Sequence, residues 1–487
     1  SSHFGSRCVG AKFRVAVSLF VPRPVTMGQQ CSIPGAGSIE NLLSPRRHEP
    51  EVPDVDDILV ADKVDTEALF RRLQAVEGDQ AEQDKLFERL QQQGASMIAT
   101  VDFDEPDTDR KLQVLEYLRA LFALRVWDDN VRLVKSDGSR FFVFAKSAGE
   151  ALEAAFLMRK LLVSFHTWVG DFLSDGAQGS GSVGCSPCCR ASRRNGRNRG
   201  ALPKAATLKA GIHHGSILLI EEDCYGTPVN VASKIGEDLA LPGEIMVSAS
   251  SAQNAEDARL QSLLSSLVLE PKQTEISGVS LDYCQVTAKI SIEDGDAVAM
   301  PATAEVEEFL RGTGSSDLVV SELVIMTTDM SGFTRLSKQY GILHFLRLVF
   351  KARAIILPAL QNHGGWKIKY EGDNIIAAFP GVDDAIACIH AVVEQVREYN
   401  VTREKDFQIR MGFGVDVGQV HCSGHDIFGS AFDCSFKLAE DIAEVGEVLV
   451  TERVKAAGWP TVPGCKLSDG KLLEEGNVKF FALTFPA

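Results

Sequence analysis

One pattern of residues occurs twice in this chain. Residues 215–247, GSILLIEEDCYGTPVNVASKIGEDLALPGEIMV, and residues 418–450, GQVHCSGHDIFGSAFDCSFKLAEDIAEVGEVLV, align without a gap at a constant offset of 203. Gly215, Asp223, Gly226, Lys234, Glu237, Asp238, Gly243 and Glu244 recur as Gly418, Asp426, Gly429, Lys437, Glu440, Asp441, Gly446 and Glu447. The chain is a tandem duplication, and one fold has to serve both halves.

Upstream in each copy, Asp102 in ATVDF is expected to match Asp329 in TTDMSGFTRL, and Phe144 in FFVFA to match Phe379 in IIAAF. The second pair has an offset of 235, against 203 downstream, so the first copy is expected to be longer by 32 between the two. The candidate is a Gly-, Ser- and Arg-rich stretch at about 172–204, too poor in large apolar residues to pack, read as a disordered insertion or unspliced sequence.

Each copy reads strand, helix, hairpin, helix, strand. In the second, ELVIMTTD is a buried strand, FTRLSKQYGILHFLRLVFKARAIILPAL has helical apolar spacing, and WKIKYEGDNIIAAF is a hairpin turning on Glu371, Gly372 and Asp373. This order predicts an α+β unit, a mainly antiparallel sheet with helices packed on one face. Residues 66–93 have Leu and Phe at helical spacing, a helix that packs on its own domain or dimerises.

At 487 residues with 45% hydrophobic content the chain has room for two or three ordinary domains. A formal net charge of −16 argues against a general nucleic-acid binder, whose affinity would come from clustered Lys and Arg. Eleven cysteines without a framework spacing predict a reduced intracellular protein, with Cys185, Cys188 and Cys189 as loop thiols. No apolar run approaches the ~18 residues of a membrane span. The first methionine is Met27, in MGQQCS, which fits a myristoylation start with Gly28 as acyl acceptor and Cys31 as a palmitate site. A cytoplasmic protein, anchored to the membrane face by two acyl chains, is one expectation; an internal Met-Gly pair in a leader is the other.

Asp329 closes a strand, and Asp373 sits in the hairpin turn that comes after the following helix. Alone, the two read first as solvated loop carboxylates. If the segments are sheet neighbours, two acids at one end call for a cation, and oxygen ligands suit Mg²⁺ or Mn²⁺.

TTDMSGFTRL, KIKYEGDNIIAAF and DCYGTPVNVASKI together resemble the class III nucleotidyl cyclases, adenylyl and guanylyl, across both repeats. The resemblance implies two ferredoxin-like, palm-type domains in a pseudo-symmetric head-to-tail pair with a site between them. It assigns two metal ions, Mg²⁺ or Mn²⁺, to Asp329, Asp373 and the Met330 backbone, and phosphate to the turn Gly332, Phe333 and Thr334. From the first copy it assigns adenine reading to Asp223 and Lys135, with Val134 the ungapped alternative to Lys135, and catalysis to Asn230 and to Lys234 where the family has Arg. The opposite site, with Asp102, Lys369, Asp426, Asp433 and Lys437, is expected to be degenerate, because its first turn reads FDEPDT and its hairpin KSDGSRF.

The implied activity is ATP to cyclic AMP and pyrophosphate. The alternatives are a guanylyl cyclase, an inactive nucleotide-binding or regulatory module, and a homodimer pairing two second copies. The expected organisation is a leader at 1–26, an anchor segment, linker and helix at 27–94, a first domain at 95–290, an acidic linker at 291–317 and a second domain at 318–487.

Overall fold

The computed structural model describes residues 58–60, 63–76, 79–104, 108–175, 206–220, 223–276, 279–289, 299–313, 319–423, 426–458, 462–473 and 478–486. Gly28, Cys31, the cysteine cluster at 185–189 and the insertion beyond Asp175 lie outside these residues.

A short ribbon, β1 (Leu59–Val60) and β2 (Lys63–Val64), leads to helices α1 (Thr66–Ala75) and α2 (Gln80–Leu90). The one helix expected over 66–93 is thus two. Asp79 accepts a hydrogen bond from the Glu82 amide at 3.1 Å and starts a second helix, as Asp65 starts the first.

The first domain comprises β3 (Gln92–Asp102), α3 (Thr108–Arg125), β4 (Val131–Asp137), β5 (Arg140–Ala145), α4 (Ala148–Asp175), β6 (Thr207–Ile220), β7 (Asp223–Tyr225), α5 (Thr227–Ser233), β8 (Ile245–Ser248), β9 (Leu267–Ile276) and β10 (Val279–Ala288). Helix α6 (Thr303–Thr313) follows, tied back to α3 by Arg125 and Glu305 at 3.0 Å. The second domain repeats the order with β11 (Val319–Met330), α7 (Phe333–Tyr340), α8 (Ile342–Asn362), β12 (Trp366–Glu371), β13 (Asn374–Phe379), α9 (Val382–Asn400), β14 (Met411–Ser423), β15 (Asp426–Phe428), α10 (Ser430–Lys437), β16 (Val448–Thr451), β17 (Lys466–Leu467), β18 (Lys471–Leu473) and β19 (Val478–Thr484).

The two sheets run β4-β5-β3-β6-β8-β10-β9 and β12-β13-β11-β14-β16-β19-β17. Both are antiparallel except at β6 with β8 and β14 with β16. Helices cover both faces rather than one. In the first domain α3 and α4 bury Met97, Phe141 and Val143 on one face, while α5 covers Ile98, Phe142 and Phe144 on the other. Glycine permits the second contact: a Cβ at Gly211 would lie 2.1 Å from the Ala232 carbonyl, so α5 sits directly on β6.

Strand pairing corrects two equivalences expected from the sequence. Ala145 is opposite Ala95 and Phe379 opposite Val324, so Phe379 corresponds to Ala145, not Phe144. Phe144 faces α5, whereas Phe379 lies in the core beneath α8 and α9. The hairpins are therefore offset by 234 rather than 235, and the first copy is longer by 31. On the first strand, Asp329 is opposite Gly412, whose counterpart at the offset of 203 is Lys209; opposite Lys209 stands Thr100. Asp102 lies two residues past the position of Asp329.

α1 and α2 pack beyond their own domain. Leu69, Leu73, Leu86 and Leu90 share one apolar cluster with Leu218 and Ile220 of β6 and with Ile342, Leu346 and Phe350 of α8. No described helix is long and apolar enough to cross a membrane.

Candidate active site

Strand β11 and the β12–β13 turn bring Asp329 and Asp373 to one sheet end. The Met330 amide donates to Asp373 Oδ2 at 3.1 Å. Burial, then Asp373 and Glu440, pushes the Asp329 carboxyl up to about 8. Burial also pushes Asp373 up to about 7, with Glu440 adding to it and Arg353 opposing it. Glu440 is held nearby by the Asn374 amide at 2.7 Å. The pair is therefore desolvated, not the pair of solvated loop acids that the sequence alone favours.

Beyond Met330 the chain turns through Gly332, whose φ of +100° is in the region that favours glycine, and enters α7 at Phe333. The Ser331 amide donates to the Arg410 carbonyl at 2.8 Å, and the Phe333 ring is anchored edge-on to Phe345, centroids 4.8 Å apart. The turn thus presents the backbone N–H groups of a helix start, including that of Thr334, beside the two acids. Among the described residues, no group of three or more His, Cys, Asp or Glu side chains is placed to hold a metal ion.

The first domain contributes a second acid centre. Lys135 Nζ lies 2.8 Å from Asp223 Oδ1, and the Cys224 amide donates to the same oxygen at 2.8 Å. A register shift falls between Leu133 and Lys135, and Lys135 rather than Val134 is the residue that pairs with Asp223. Asp223 Oδ2 accepts from the Gly372 amide at 3.1 Å, so the acid at the start of β7 grips the hairpin that carries Asp373. Asn230 and Lys234 lie half-buried, one turn apart at the end of α5, where the helix widens into a π turn over Lys234–Leu239.

The opposite centre is built differently. Lys369 Nζ is 2.8 Å from Asp426 Oδ1, and the Gly138 amide donates to Asp426 Oδ2 at 3.1 Å. Arg119 adds a second cation on Oδ2, at 2.8 Å. Lys369 also bonds Asp137 at 2.5 Å, while Arg140 pairs with Asp137, Glu371 and Glu237. Against the opposing effect of burial, the Lys369 and Arg140 cations hold Asp137 well below the usual carboxylate range. Where the second domain has Asp329 and Asp373, the first has Thr100 and Ser139, with Arg140 in place of Asn374. Asp433 lies on α10, its carboxyl raised by desolvation against the opposing Lys111 ammonium, and Lys437 is half-buried at the helix end.

Arg119, Arg140, Arg353, Glu371 and Glu440 are absent from the sequence-based site. A signal for two of them was present: Arg119 and Arg353 are related by the hairpin offset of 234 and so recur at the same place in the two copies.

No family model matches the chain. Over 147 residues, 30% of this chain, it is 23% identical to a serine/threonine-protein kinase, pkn2, of Myxococcus xanthus. Over 130 residues, 27% of the chain, it is 22% identical to a putative adenylate cyclase 3 of Rhizobium meliloti (strain 1021). The matches span only 18% and 22% of those two proteins. Among solved structures it is similar to an adenylate/guanylate cyclase/hydrolase from Silicibacter pomeroyi, at 22% identity and a TM-score of 0.31, over 35% of this chain and all of that one. It is also similar to the adenylyl cyclase CyaB of P. aeruginosa, at 16% identity and a TM-score of 0.29, over 35% of this chain and 97% of that one.

Proposed function

We propose that the chain is a nucleotidyl cyclase that converts ATP to cyclic AMP and pyrophosphate at one site between its two domains. The observation that carries this is the hydrogen bond from the Gly372 amide to Asp223, 3.1 Å, which sets the acid-bearing hairpin of one domain against the Asp–Lys pair of the other. Its counterpart from Gly138 to Asp426, also 3.1 Å, supports a head-to-tail pairing with pseudo-twofold symmetry.

Two neighbouring acids whose carboxyls burial holds above the usual range, with Glu440 beside them, fit a divalent cation with oxygen ligands. Asp329, Asp373 and the Met330 carbonyl would hold Mg²⁺ or Mn²⁺, two ions, which supply activation of the ribose 3′-hydroxyl and neutralisation of the triphosphate. The amides of Gly332, Phe333 and Thr334 cradle phosphate oxygens at the start of α7. Lys135 donates and Asp223 accepts, the complement of the adenine edge. Asn230 orients the ribose while the ribose 3′-hydroxyl releases its proton to water, its oxygen bonds the α-phosphorus and the bond from that phosphorus to the departing pyrophosphate breaks. Lys234 meets the phosphate charge as a point cation, without the two-pronged grip of arginine.

The second reading is a nucleotide-binding regulatory module without turnover, favoured by Lys234 and by the cation-saturated Asp426. A homodimer pairing two second copies is the weaker arrangement, since Asp433 would stand where Asn230 does. The acyl anchor at Gly28 and Cys31 rests on the sequence alone; Gly28→Ala should move the protein from the membrane pellet to the supernatant, and equal solubility of both forms would refute it.

The test is incubation of the purified full chain with ATP or GTP and Mn²⁺ or Mg²⁺, with cyclic products resolved by chromatography. Cyclic AMP is the expected product. Cyclic GMP alone would reverse the base assignment, and bound nucleotide without product would leave the regulatory module.

A further inference from the structure

We infer that Arg353 is the positioning residue that holds the acid-bearing hairpin of the second domain in register with the base-reading strand of the first. This rests on the cyclase assignment proposed above.

Arg353 lies in the middle of α8 and is 6% exposed, among apolar neighbours. A buried guanidinium is costly unless its charge and donors are used. Here Nη2 donates to the Gly372 carbonyl at 3.1 Å and to the Tyr225 hydroxyl at 3.3 Å. The guanidinium also stacks on the Tyr370 ring, 3.8 Å from its centroid.

These partners belong to different halves of the site. The Gly372 carbonyl is part of the peptide group that leads into Asp373, and Tyr225 stands two residues after Asp223 on β7. Gly372 is thereby gripped on both sides, its N–H by Asp223 and its carbonyl by Arg353, with a second bond to that carbonyl from the Tyr225 hydroxyl at 3.4 Å. With φ at +63° and no atom within 4 Å of a Cβ built on it, Gly372 has no side-chain packing to fix it. The orientation of the peptide before Asp373 is left to these hydrogen bonds.

The matching residue of the first domain, Arg119, is wired otherwise. It donates to the carboxylate of Asp426 itself, at 2.8 Å. One helix position thus has opposite effects: Arg119 neutralises the acid at the second centre, whereas Arg353 bonds a peptide carbonyl and leaves Asp223 to Lys135. Arg353 touches no reacting atom in this arrangement; it acts through Gly372 and Asp373.

The test compares the full chain with Arg353→Met, Arg353→Lys and Tyr225→Phe. Two quantities are read: the Mn²⁺ concentration giving half-maximal binding of a fluorescent ATP analogue, and kcat with its own Mn²⁺ dependence. Arg353→Met should raise the half-saturating Mn²⁺ at least tenfold and lower kcat, with Arg353→Lys restoring part of each. Tyr225→Phe should shift Mn²⁺ dependence in the same direction by a smaller factor. A purely structural role would reduce the amount of folded protein and leave the Mn²⁺ midpoint of the remainder unchanged, and that result overturns the inference. If Arg353→Met does not fold, an unchanged midpoint in both Arg353→Lys and Tyr225→Phe overturns it equally. A parent protein with no Mn²⁺-dependent nucleotide binding would overturn the cyclase assignment and this inference together; an active parent with an indifferent Arg353 would overturn this inference alone.

Discussion

Replacing Asp329 by Asn should stabilise the metal-free protein while abolishing its response to Mn²⁺. Burial, Asp373 and Glu440 push the Asp329 carboxyl up to about 8. In the unfolded chain it titrates near ~3.9. A raised value in the fold means that the folded protein keeps a proton the unfolded chain releases. The stability contribution is complete below pH ~4 and is lost as the pH rises toward about 8. Each pH unit in that window costs about 1.4 kcal/mol, giving an upper bound of about 4 kcal/mol at pH ~7. Partial solvent contact and local relaxation reduce this to about 2 kcal/mol. Asn keeps the shape and has no charge to desolvate. Urea unfolding with a chelator should therefore show Asp329→Asn more stable than the parent by about 2 kcal/mol at pH ~7.5 and nearly equal at pH ~4.5. Added Mn²⁺ should stabilise the parent and not the variant. A variant less stable at both pH values, or one that gains equally at both, would refute the electrostatic origin of the effect.

Arg119→Met removes one cation from a buried cluster and leaves the acids around Asp426 and Glu116 underpaired, so it should cost ~3 kcal/mol in denaturant unfolding. Gly365→Ala drives a Cβ to 2.3 Å from the Phe379 ring and should lower stability by about 2 kcal/mol; Gly372→Ala meets no atom and should cost only the left-handed backbone penalty of about 1 kcal/mol. A calorimetric ranking with Gly372→Ala the more damaging would contradict this. Lys234→Arg should raise the cyclisation rate several-fold by restoring a planar two-donor contact, and a rate at or below the parent's would argue against a phosphate role.

The duplication, the hairpins and the strand-to-helix corner at Asp223 and Asp426 were legible in the sequence because turn glycines and apolar runs mark them locally. The position of Asp102 was not. A strand slipped by two residues keeps every side chain on the same face, so alternation cannot distinguish Asp102 from Thr100 as the counterpart of Asp329. Phe144 failed for the opposite reason: setting it against Phe379 matched two aromatic rings one residue out of step, and a slip of one residue moves a side chain to the other face. The charges that distinguish the two centres pair over long separations, as Arg119 does with Asp426, 307 residues away, and no local pattern encodes such a pairing. The α1–α2 pair looked like a helix for its own domain because its Leu and Phe spacing records an apolar face without naming the surface it covers.

The central claim is that one centre works and takes its metal acids from the second domain alone. The direct measurement is the rate of cyclic AMP formation from Mn²⁺ and ATP by the full chain, by Asp373→Ala and by Asp102→Ala, side by side at saturating nucleotide. No detectable product is expected from Asp373→Ala, and a rate within about twofold of the parent from Asp102→Ala, whose side chain lies two residues beyond the matching position. Equal losses in the two variants, or full activity in Asp373→Ala, would contradict it.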